Sequence, residues 1–207
     1  MSELRQALLQ ISAIRTQVAR ETQFRGYGPL STAGSGVLAI LVASVQSLWL
    51  NGSQADARVF LMVWVSTAAV AAGFSSWETY VRTRKVHFGF SREMIQAAIE
   101  QFLPAMVVGL MLTVVLVRVA PQELWMLPGL WQLSFSLGIF ASCRFLPRPL
   151  FAVGLWYLVA GLACLAIEGG PHALSPWTMG IPFGIGQLFL AAVLKYGYED
   201  SVEERHT

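Results

Sequence analysis

The sequence predicts an all-α, polytopic membrane protein: six transmembrane helices preceded by an N-terminal amphipathic interfacial helix. Three observations lead there. The chain is 55% hydrophobic and only 13% charged, about half the charge of a soluble domain. Six apolar runs, each near the roughly 20 residues that cross a ~30 Å hydrocarbon core, occupy most of the 207 residues. With the N-terminus in the cytoplasm, all of the fourteen Lys and Arg except Arg58 and Arg118 fall on the inner side, which is the positive-inside pattern. Adding or removing a span would move every later loop across the membrane, so helix number and orientation support each other.

The elements follow in order. Leu4, Leu8, Ile11, Ile14 and Val18 recur at spacings of three and four, opposite Arg5, Gln6, Arg15 and Arg20; such a helix lies on an anionic leaflet, a solvated helical tail being the alternative. Gly26, Gly28 and Pro29 end it. The spans are expected at 30–50, 58–77, 101–118, 126–143, 149–167 and 177–195. The organisation is therefore a cytoplasmic-side helix over 1–25, a membrane domain over 26–197 and a short polar tail over 198–207. No cleavable signal peptide is expected, because the first twenty-five residues are polar and rich in Arg.

Between the spans, Asn51 to Ala57 reads as a short outer turn, and Arg82 to Arg92 as the one substantial inner loop. Arg144 to Pro149 reads as a tight inner turn and Glu168 to Pro176 as an outer loop without a basic residue. Ser91 is expected to cap a short inner helix carrying Glu93, Gln96 and Glu100 on one face, with Pro104 kinking or ending it. Trp49, Trp125 and Trp177 fall near outer ends, and Trp77 and Tyr80 near an inner one, as an interfacial aromatic belt. Pro128-Gly129-Leu130-Trp131-Gln132 opens helix four and Gly180 to Gln187 runs along helix six, both descending from outside to inside. Repetition of helical hairpins and the general use of small residues in membrane helices both account for this.

The same residues exclude several functions. A net charge of +2 without a clustered basic face gives no direct nucleic-acid partner. Cys143 and Cys164 lie in apolar segments without Cys or His at ligand spacing, and read as small hydrophobes. His87, His172 and His206 all lie outside the spans, which disfavours intramembrane haem, a His-Glu-x-x-His zinc site and Ser-His catalysis. No metal, cofactor or catalytic residue is assigned.

Two groups of polar residues stay as candidates. Glu78, Arg82, Glu93, Glu100, Arg144 and Arg148 gather near the inner leaflet, either as a polar vestibule or as a solvated surface that fixes topology. Glu100 lies nearest the hydrocarbon, where a carboxylate needs a partner. Gln132 and Gln187 lie inside spans whose middles hold no ionisable group; a buried amide needs partners and serves as helix glue or, alternatively, as a ligand contact.

The Arg-bearing amphipathic lead, the Phe24-Arg25-Gly26-Tyr27 break, the Pro128-Gly129-Leu130-Trp131 opening and the Lys195-Tyr196-Gly197 exit resemble a family of small uncharacterised bacterial six-helix integral membrane proteins. The resemblance implies a bacterial source and an inner-membrane address. Pairing of some members with winged-helix regulators is compatible with sensing. It implies no catalytic residue.

The leading expectation is a non-enzymatic sensor, scaffold or accessory subunit working through its cytoplasmic face. Its partners would be the lipid bilayer, a protein at that face and other copies of the chain as a homo-oligomer. The alternatives are a small-solute transporter or channel with Gln132, Gln187, Ser134 and Ser136 lining a route, and then a lipid-modifying enzyme using Glu78, Glu93 and Glu100. Topology is directly testable: single cysteines at positions 52 and 172 should react with an impermeant maleimide on intact cells. Those at 85 and 203 should react only after permeabilisation. Outside labelling at 85 reverses the orientation, and opposite sidedness of 52 and 172 refutes the six-helix count.

Overall fold

The computed structural model describes residues 29–50, 56–85, 89–143, 149–166 and 173–203. The predicted interfacial helix over 1–25 lies outside them. Among the described residues the protein is all helical: α1 (Pro29–Leu50), α2 (Ala57–Lys85), α3 (Gly89–Val119), a 3-10 segment (Pro121–Met126) running into α4 (Leu127–Ser142), α5 (Leu150–Ala166) and α6 (Trp177–Glu203). Five helices are long and apolar enough to cross a membrane, α4 with the help of its 3-10 lead. The fifth in order, α5, has 17 residues, about 25 Å at 1.5 Å per residue.

Local chemistry explains where the helices start. Asp56 caps α2, its Oδ1 accepting the Arg58 amide at 2.9 Å and its carbonyl the Phe60 amide at 2.9 Å. Ser175 precedes α6, its carbonyl accepting the Thr178 amide at 3.0 Å and the Thr178 hydroxyl at 2.7 Å, with Pro176 next in sequence, where a missing N–H costs nothing.

Several expected boundaries are corrected. The helix expected after Ser91 begins at Gly89, so Ser91 lies inside it. Pro104 does not end it: α3 is one helix of 31 residues with the proline inside, because a proline removes one ladder bond while its φ stays helical. The expected inner loop from Arg82 to Arg92 is largely absorbed, since α2 continues to Lys85 and α3 starts at Gly89. The apolar run alone gives that loop too many residues, because polar helix turns beyond a bilayer carry no hydrophobic signal. For the same reason α6 runs past Lys195 to Glu203 and takes in residues 198–203 of the expected tail.

The helices alternate in direction. Gly36 of α1 meets Gly184 and Gln187 of α6 while Ala43 meets Gly180, an antiparallel register. α4 is antiparallel to α3, with Gly138 against Phe102 and Gly109 against Ser134 and Trp131, and antiparallel to α5, with Gly129 against Gly161 and Gly154 against Phe140. It runs parallel to α6, Gln132 meeting Thr178 and Phe135 meeting Phe183. The most extensive pairings among the described residues are α1 with α6, then α4 with α5 and α3 with α4; α2 rests chiefly on α1. Half of the α4 window is buried but only 6% of that of α3, so α4 is central and α3 peripheral. Leu30, Leu48, Trp49, Met62 and Val119 are more than two-thirds exposed. An apolar exterior of this kind belongs in hydrocarbon, and the protein is membrane-embedded.

Close approach through glycine, not bulk apolar packing, sets the tight pairs, as expected where lipid and helix are equally apolar. A Cβ on Gly161 would lie 2.9 Å from the Gly129 carbonyl oxygen and 3.1 Å from the Leu133 amide nitrogen, both backbone atoms. A methyl group added at Gly34 of α1 would meet nothing within 4 Å. Gly161→Ala should therefore cost about 1–3 kcal/mol, read as a lower melting temperature in detergent. Gly34→Ala should be neutral or stabilise by about 0.5–1 kcal/mol through helix propensity. Equal effects of the two would refute the close contact.

Candidate functional site

The best-defined polar constellation lies between α4, α5 and α6. Pro182 is inside α6 and lacks the N–H that would bond the carbonyl four residues earlier, that of Thr178. Gln132 of α4 is fully buried and its Nε2 donates to that carbonyl at 2.8 Å. The thiol of Cys164 on α5 adds a weak contact, its Sγ standing 3.7 Å from the same oxygen and 3.6 Å from Gln132 Nε2. Three helices thus meet on one backbone oxygen. Cys164, expected to be only a small hydrophobe, is part of this polar contact.

Further ties run along the same interior. The Ser136 hydroxyl, fully buried, donates to the Gly154 carbonyl at 2.8 Å, linking α4 to α5. The Trp156 indole donates to the Pro182 carbonyl at 3.0 Å, linking α5 to α6. Two other indoles close the earlier hairpins: Trp64 donates to Gln46 Oε1 at 3.1 Å and Trp131 to the Thr113 hydroxyl at 2.8 Å. Both pairs are 18 residues apart in sequence, so α1–α2 and α3–α4 are pinned at matching distances from their turns. Trp64, Trp131 and Trp156 are helix ties, whereas Trp49, at 86% exposed, and Trp77, at 67%, face outward as interfacial residues do.

Gln187 differs from Gln132. It is half-buried on α6 against Gly36 of α1. Beside it the Tyr157 side chain is fully buried, and Gln187 is the side chain that its hydroxyl meets. Sequence reasoning misses Tyr157, because a tyrosine in an apolar run reads as belt or core.

The polar group expected near the inner leaflet is not brought together in the described part. Glu78 is half-buried on α2 and Glu100 exposed on α3, and these two helices make almost no contact. Arg82 and Glu93 lie on helical backbone with their side chains outside the described residues, and Arg144 and Arg148 lie outside them altogether. Among the described residues no group of three His, Cys, Asp or Glu is placed to hold a metal.

Fold and interior define a helical membrane protein tied by side-chain-to-carbonyl bonds. No family model, curated protein or solved structure matches the chain. The Thr178 node gives a specific expectation. Gln132→Leu leaves a buried carbonyl unpaired and should cost about 1–3 kcal/mol. In a Pro182→Ala background the helix supplies its own amide, so the same replacement should cost little. Additive losses across this double-mutant cycle of melting temperatures would refute the coupling.

Proposed function

We propose that the protein is a non-enzymatic multi-pass membrane module, a sensor, scaffold or accessory subunit that engages a protein partner through its cytoplasmic face. In this reading six spans place both termini in the cytoplasm of a bacterial inner membrane, and residues 1–25 lie along the inner leaflet. The supporting observation is the length of three helices. With 29, 31 and 27 residues, α2, α3 and α6 extend roughly 40–46 Å at 1.5 Å per residue, against a ~30 Å hydrocarbon core. The antiparallel order puts their surplus turns at one end of the bundle, the end where Arg82, Arg84, Lys85, Arg92 and Lys195 occur in the sequence. A raised helical platform carrying charge is a protein-docking surface, and its basic character fits the inner side.

The other readings have less support. Gln132 and Ser136, candidates for lining a solute route, are buried and donate to backbone carbonyls. The carboxylates a lipid-modifying enzyme would need are divided between α2 and α3, which barely touch. The test is site-specific photocrosslinking in native membranes. A crosslinker at position 85 or 92 should give one discrete protein adduct, absent from position 48 at the opposite end and lost when Arg82 and Arg84 are changed together to Glu. No adduct from 85 or 92, or one insensitive to the charge reversal, refutes the proposal.

A further inference from the structure

We draw no further inference here: the strongest candidate, the surface patch on α2 where Ser66, Ala69, Gly73 and Ser76 form an exposed stripe of small residues, carries nothing because nothing in the structure shows what covers it.

Discussion

The bundle depends on one backbone oxygen. By placing a proline at 182, α6 gives up the amide that would have bonded the Thr178 carbonyl, and in hydrocarbon that carbonyl has no water to turn to. Gln132 supplies the missing donor from α4, and Cys164 approaches from α5. A defect in one helix becomes the point that fixes the relative rotation and depth of three. Once Gln132 is set, Phe135 and Ser136 follow on the same helix, facing Phe183 and the Gly154 carbonyl.

Around that point two packing regimes coexist. The interior pairs approach through Gly36, Gly129, Gly161, Gly180 and Gly184, close enough that backbone meets backbone. The outer helices α2 and α3 meet their neighbours through side chains, as Phe102 and Ala105 of α3 do at Gly138 of α4. Successive in sequence, they make almost no contact with each other among the described residues, and each leans chiefly on one neighbour, with aliphatic side chains over most of its described surface. Backbone-to-backbone approach is concentrated in α1, α4, α5 and α6.

Much of this is legible in the sequence, for physical reasons that also explain the failures. Apolar runs report hydrocarbon contact, so the centres of all six helices are visible, including the short α5. The same signal is silent about turns that rise above the bilayer, which is why hydropathy alone makes α2, α3 and α6 too short. Gln132 announces itself as an amide inside a span. Its partner is readable too: a proline at 182 implies a free carbonyl at 178, although not which helix answers it. The indoles of Trp64, Trp131 and Trp156 and the hydroxyl of Tyr157 are not legible, because an aromatic residue in an apolar run looks alike whether it faces lipid, core or a bond. The grouping of Glu78 with Glu100 fails differently, since closeness to one membrane surface does not fix lateral distance.

The pairing of α1 with α6 has a consequence for biogenesis. Helix α1 is complete at Leu50, but its principal partner begins at Trp177, about 130 residues later, roughly 6–25 s at ordinary rates of translation. For that interval the α1 face that meets α6 lacks its native partner. Closure of the bundle therefore waits for α6: until that helix is made, the α1 surface around Gly36, Ala39 and Ala43 lacks its principal cover.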